Sequence, residues 1–326
     1  MRQRSVHYVR RLATAGSIST ISLLVASSAL SREPAGVPIT SDGKPDLQGI
    51  WIGGTLTPFE RPPQLESTSF HAATDIEKQN REATAAFWAS GHVPGEVGRD
   101  NDAFLDQDLA ILPNGQTSLV VDPPDGRIPL TPEAERRRDF NLSNYDSWET
   151  MSQWDRCITR EPTALFPVVY NNAYQIVQTP THIAVHAEMI HDVRIIPLDG
   201  RPHADARVKS WSGDARAHWE GSTLVVDTTN FNDQGWIATG LNARRLRAVP
   251  YDANLHIVER YTRVDAQTLN YEITIDNPTF YSSPWKMSFP LKRDDTYRMF
   301  EYACHEGNSA IETILRGART QESAAR

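Results

Sequence analysis

The chain predicts an all-β protein built on an antiparallel β-barrel, with a β-sandwich as the alternative arrangement. Three observations carry that expectation. First, nine stretches rich in β-branched and aromatic residues follow one another in the C-terminal half, at 174–179, 182–190, 193–197, 215–219, 223–228, 255–263, 268–276, 285–291 and 299–304. Second, most connections are too short for the crossover of about a dozen residues that parallel strands need, so neighbours pair antiparallel. Third, tight turns separate them, with Glu220-Gly221-Ser222 and the run from Val264 to Gln267 reading as hairpin loops. Closing such a sheet removes its exposed edges, which favours the barrel.

The first 31 residues read as a secretory signal outside the fold. Arg2, Arg4, Arg10 and Arg11 form a positive region, residues 18–30 an apolar run too short for a bilayer, and small residues near Ala29 suit cleavage. The paired Arg10-Arg11 is compatible with twin-arginine export as well as with the general secretory route. The expected location is therefore periplasmic or secreted, with no membrane attachment after cleavage. Residues 32–165 read as a loop-rich extension packed on the barrel of 166–326 and contributing one strand, 47–52. That strand carries Gly49-x-Trp51, the way many lipocalin barrels begin. One helix is expected at 72–89 with Asp75 as N-cap, and another starts where Thr131 precedes Pro132 and two acids. Asp122-Pro123-Pro124-Asp125-Gly126 is a turn, and Arg136 to Arg138 read as a solvated helix end rather than an anion site.

Charge narrows the partners. The formal net charge is −8, and loss of the four signal arginines takes it to −12. So acidic a protein repels phosphate backbones, which argues against nucleic acid. Cys157 and Cys304 are the two cysteines of an exported chain and read as one disulfide; the alternative is two thiols with Cys304 activated by His305. Neighbours on a strand point to opposite faces, which disfavours that alternative. No phosphate-binding glycine loop, dinucleotide fingerprint, nucleophile elbow or CxxC pair is present, so no cofactor is expected. The oligomeric state is not legible.

The densest set of proton-moving groups lies in residues 170–197, which hold His182, His186, Glu188, His191, Asp192 and Arg194. Alternation puts His182, His186 and Glu188 on one face of their strand, as a site or as an ordinary polar stripe. Glu259 shares a face with Leu255, Ile257 and Tyr261. Burial there would raise its pKa and make it a proton donor, unless it is ion-paired to Arg194 or Arg263 or faces water. His191 and Asp192 occupy a turn at the expected barrel mouth, and Tyr302 to Asn308 end the last expected strand, also at a mouth. If the two meet, His191 or His305 would act as base, Glu188 or Glu259 as acid and Arg194 as electrostatic stabiliser. Tyr170, Tyr174, Asp192, Tyr302, Glu306 and Asn308 would line the substrate site. An aromatic-lined interior favours an apolar or aromatic small molecule.

The segments YNNAYQIVQTP, EMIHDVRIIPLDGRPH, WEGSTLVVDTTNF, ERYTRVD and EYACHEGN, with DPPDGRIPLTPE and ILRGAR, complete the pattern. In them the chain resembles a large group of exported bacterial proteins abundant in acidobacteria and sphingomonad-like proteobacteria. The resemblance spans most of residues 45–319 and brings no activity with it. It marks Cys157, Glu188, His191, Asp192, Arg194, Cys304, His305, Glu306 and Asn308 as motif members and leaves His182 and His186 outside. Residues 236–250 look like an added loop able to act as a lid. The leading expectation is an exported lipocalin-like enzyme doing cofactor-independent acid–base chemistry, a lyase, isomerase, cyclase or hydrolase step. The alternatives are a binding protein without catalysis, and a metal-dependent enzyme using His191, His305 and Glu306.

Overall fold

The computed structural model describes residues 36–324 except 66, 90–105, 107, 145 and 164. The expected signal lies outside these residues. Ten strands run in chain order as β1 (Gly49–Ile52), β2 (Val120–Asp122), β3 (Ala173–Gln178), β4 (His182–Ala187), β5 (Val193–Pro197), β6 (Asp214–Glu220), β7 (Thr223–Thr229), β8 (His256–Arg263), β9 (Thr268–Asp276) and β10 (Trp285–Arg293). The helices are α1 (Ile76–Ala89), α2 (Pro132–Ser143) and α3 (Ala310–Ala324).

The sheet order is β5-β4-β3-β1-β10-β9-β8-β7-β6, every pair antiparallel, with β2 attached to β10 off this path. Two meanders, β3 to β5 and β6 to β10, are joined through β1. The Trp51 position pairs with Tyr174 on one side and Arg293 on the other. The end strands β5 and β6 approach one another without a ladder, so the nine-strand barrel is nearly closed. The N-terminal stretch supplies β1, the keystone of the wall, and also β2, which pairs with β10 off the barrel path.

Alternation explains the core. In β8, β9 and β10 every second residue is buried, placing Ile257, Tyr271, Ile273, Trp285 and Phe289 inward. The extension adds Phe59, Leu119 and Leu165 to the same core. Turn chemistry fits the register: Gly221 sits at φ +60° between β6 and β7, a conformation open to glycine at little cost. The start of α2 is as expected, with Thr131 Oγ1 accepting from Ala134 N at 3.1 Å and Pro132 in the first turn.

Four expectations need correction. The 182–190 strand stops at Ala187, because Ile190 and His191 take φ values of +63° and +46° and turn the chain. The expected strand at 299–304 does not form. Phe300 N donates to the buried Glu188 carboxylate at 3.2 Å instead of to a ladder. A third helix, α3, was not expected. Residues 236–250 are no lid. Ile237, Ala238, Leu246 and Val249 are completely buried in the core, and Gln153 clamps Trp236 through both its amide groups at 2.7 and 2.9 Å.

Candidate functional site

The residues singled out from sequence fall into three places. The first is the barrel interior. Glu259 projects from β8 and is completely buried. Arg194 of β5 forks onto it, with Nη1 to Oε1 at 3.0 Å and Nη2 to Oε2 at 2.7 Å. The hydroxyls of Tyr261 and Tyr271 donate to the same Oε1 at 2.9 and 3.0 Å. Thr163 O and Thr228 Oγ1 accept two further hydrogen bonds from Arg194. Burial works against the Arg194 charge, but the Glu259 charge and hydrogen bonds prevail and hold its pKa above the ordinary arginine value. Burial, and then Glu259, push both tyrosines upward. Ion pairing with Arg194, one of the alternatives open in the sequence, is what Glu259 does. The group is a fully paired structural network across the lumen.

Beside it, Arg160 and Glu161 are also buried and stand 3.5 Å apart. Burial raises the Glu161 pKa to about 7, against the pull of Arg160. Among the described residues, Glu161 Oε2 and Arg160 Nη1 find no hydrogen-bond partner. Tyr174, expected to bind substrate, is a core residue here. Its ring lies where a side chain on Gly53 would be, 3.1 Å from that position, and burial raises its hydroxyl pKa to about 12.

The second place is a cleft of about 920 Å³ outside the barrel end. One wall is residues 154–155 and 170–173, the other residues 294–310, and Ile52 and Asp106 lie at its inner side. Trp154, Tyr170, Tyr297, Phe300 and Tyr302 contribute aromatic surface. Trp154 and Tyr170 stand 6.4 Å apart between ring centres, and Tyr297 and Phe300 meet edge to face at 6.0 Å. Below them Val168, Met189 and Ile190 form a small apolar cluster of their own.

Local conformation places these walls. Asn171 takes φ +50° and donates its amide to Glu188 Oε1. Tyr297 OH donates to the same oxygen at 3.1 Å. Glu188 therefore ties both walls together from beneath, though it does not line the cleft. Asn172 donates to Asp106 Oδ2 at 2.8 Å and is pinned by Val168 through both amide groups at 2.9 Å. Burial raises the Asp106 pKa, with neighbouring Asp108 and Glu188 adding to the rise against the Asn172 hydrogen bond. Burial and Glu188 likewise push the Tyr297 hydroxyl upward.

The Cys157–Cys304 disulfide is formed, joining residues 147 positions apart and holding the outer wall against residues 154–157. Asn308 Nδ2 donates to Cys157 Sγ at 3.0 Å from the same wall.

The third place is the surface. His191 is exposed, and its Nδ1 lies 2.8 Å from the Tyr302 carbonyl. His305 and Glu306 are exposed, and Asp192 accepts from Thr159 Oγ1 at 2.6 Å. None of these four lines the cleft. The strands' pleat cannot bring His191 and His305 inward, because both sit in turns whose side chains point to solvent. The expected convergence of His191, His305, Glu188, Glu259 and Arg194 on one substrate does not occur. Of the expected substrate contacts, Tyr170, Tyr302 and Asn308 reach the cleft. Among the described residues no three His, Cys, Asp or Glu side chains form a group able to hold a metal ion, and no helix is long and apolar enough to cross a membrane.

Sequence reasoning missed Trp154, Tyr297 and Phe300, and it missed the acids Asp106 and Asp108. These lie in irregular chain where no periodicity shows which way a side chain points. It also missed an outer cluster on β6 to β8. Asp227 accepts from His203 Nε2 at 2.8 Å and His256 Nε2 at 2.7 Å, while His203 Nδ1 meets Asp214 at 3.0 Å. The pairs 203/214 and 227/256 are too far apart in sequence for any motif to reveal.

No family model matches the chain, and comparison with curated proteins and with solved structures yields no match either. The functional reading therefore rests on geometry.

Proposed function

We propose that this is an exported protein that binds a small molecule with an apolar or aromatic body in the cleft between residues 154–173 and 294–310. The positive and apolar N-terminal stretch supports export, as does the disulfide, a bond that persists in oxidising compartments. The observation that carries the binding reading is the cleft itself. Its roughly 920 Å³ lies in the range of small-molecule sites, and five aromatic side chains line it. Binding is favoured over the expected histidine chemistry because His191 and His305 are outside the cleft, and Glu259 and Arg194 are sealed inside the barrel and committed to each other.

Ligand-observed NMR with a panel of small aromatic compounds tests this. Several compounds of the panel are expected to bind, and Ala303→Trp is expected to remove their signals. Ala303 lines the cleft from an exposed irregular segment, so a large side chain there fills space without entering the core. A panel without hits, or hits unaffected by the filled cleft, would reject the site.

A second reading, acid–base catalysis, is favoured by Asp106. It is the carboxyl at the cleft whose pKa burial raises toward the range useful for proton transfer. In that case Asp106→Asn abolishes conversion of a bound compound and leaves its binding in place. Unchanged conversion in that variant would dismiss Asp106 as the acid–base group.

A further inference from the structure

We propose that the occupant of the cleft is an organic cation, an amine or quaternary ammonium carried on an apolar body. The inference rests on the binding reading above and names its ligand class. Five carboxylates line the cleft, and no Lys, Arg or His does so among the described residues. Two of the five are already engaged. Asp294 accepts from Thr296 N and Oγ1 at 2.9 and 2.7 Å, and Asp155 accepts from Ser152 Oγ at 2.7 Å. Asp106 is held by Asn172, a neutral donor that leaves its charge uncompensated. Asp108 and Glu301 accept no hydrogen bond among the described residues and are exposed.

Lys292 and Arg156 act on Asp294 and Asp155, but among the described residues no cation of the protein meets Asp106, Asp108 or Glu301. Its effect is visible on the neighbours. Asp108 and Glu188 add to the upward shift of Asp106, and Asp106 and Asp108 add to that of Tyr297. A ligand cation would relieve this repulsion. The walls suit the same ligand, because the faces of Trp and Tyr attract an ammonium within about 6 Å of the ring centre. An inorganic ion fits the site less well. The acids do not converge as a ligand group, and the aromatic surface would be left without a contact. An anionic compound meets like charge from every side, and the net charge of −8 repels it at a distance.

Three probes of similar size separate the alternatives: 2-phenylethylamine, 3-phenylpropionamide and 3-phenylpropionate. They are titrated calorimetrically into the full chain at neutral pH and low ionic strength. The amine is expected to bind about tenfold more tightly than the amide, combining cation–π and carboxylate attraction, and the propionate weakest. In the double variant Asp108→Asn, Glu301→Gln the amine is expected to lose at least about threefold while the amide is unchanged. Both side chains are exposed and have no partner among the described residues, so the fold survives; circular dichroism verifies it. Equal binding of amine and amide, tightest binding of the propionate, or an unaltered preference in the double variant overturns the cation proposal and leaves small-molecule binding standing. Failure of all three probes to bind overturns both.

Discussion

Glu259 shows how far a single residue's role depends on what faces it. Its position on an apolar strand face was legible, and the alternation of β8 does bury it. Its partner stands 65 positions away on β5, and only the barrel brings the two together. Paired to Arg194 and to two tyrosines, its carboxylate is committed to the network, three hydrogen bonds on Oε1 and one on Oε2. Removing one charge of such a pair leaves the other buried and unpaired, so Glu259→Gln should destabilise by roughly 3–5 kcal/mol. Adding Arg194→Met should restore at least about half of that loss, because the Gln carbonyl still accepts from Tyr261 and Tyr271 while no buried charge is left. Guanidinium unfolding of both variants measures the two numbers. A double variant as unstable as the single one would show that the network's hydrogen bonds, not its charge balance, hold this part of the core.

At the scale of elements, the strands were readable and the irregular segments were not. Side-chain period 2 exposes itself in sequence, so β5 and β9 fall at 193–197 and 268–276 as expected. Residues 159–163 and 165–168 have no period, yet they are buried and plug the barrel beneath Arg194. Residues 294–308 likewise owe their course to distant partners, namely Glu188 and Cys157. The candidate site lies between such segments, which is why only Tyr170, Tyr302 and Asn308 of its walls were legible and Trp154, Tyr297 and Phe300 were not. The plug makes a pH prediction. The Glu161 pKa is about 7 in the fold and 4.5 in an unconstrained chain, so protonation favours folding. That contribution is complete below about pH 4.5 and is lost as pH rises through about 7, by at most about 3 kcal/mol. Stability measured at about pH 5 and about pH 8 should therefore fall by less in Glu161→Gln than in the parent chain. An identical difference in both proteins would exclude Glu161 as the source.

In the described chain the last barrel strand is followed by a return segment whose residues 294–310 form one wall of the cleft. β1 joins the two meanders and fixes the wall, while the return segment has no ladder to fix it. Two of its ties are Glu188, reached through Tyr297 and Phe300, and the Cys157–Cys304 bond. Those two attachments play different parts. The Glu188 contacts are non-covalent and local, whereas the disulfide closes a loop spanning 147 positions and so restricts the unfolded chain heavily. On the chain-entropy model, replacing both cysteines with serine should cost roughly 4–5 kcal/mol of global stability. It should also loosen the outer wall, since Tyr302, Ala303, Cys304 and Asn308 line the cleft from the bonded side. The fold-wide loss and the local one are separable. In Cys157→Ser, Cys304→Ser at a temperature where the barrel remains folded, hydrogen exchange should rise in residues 297–308 and stay low in β8 to β10. Binding of 2-phenylethylamine should weaken in parallel with the exchange at 297–308. If exchange instead rises evenly through the barrel, the bond acts through the unfolded state alone and the return segment is held by Glu188.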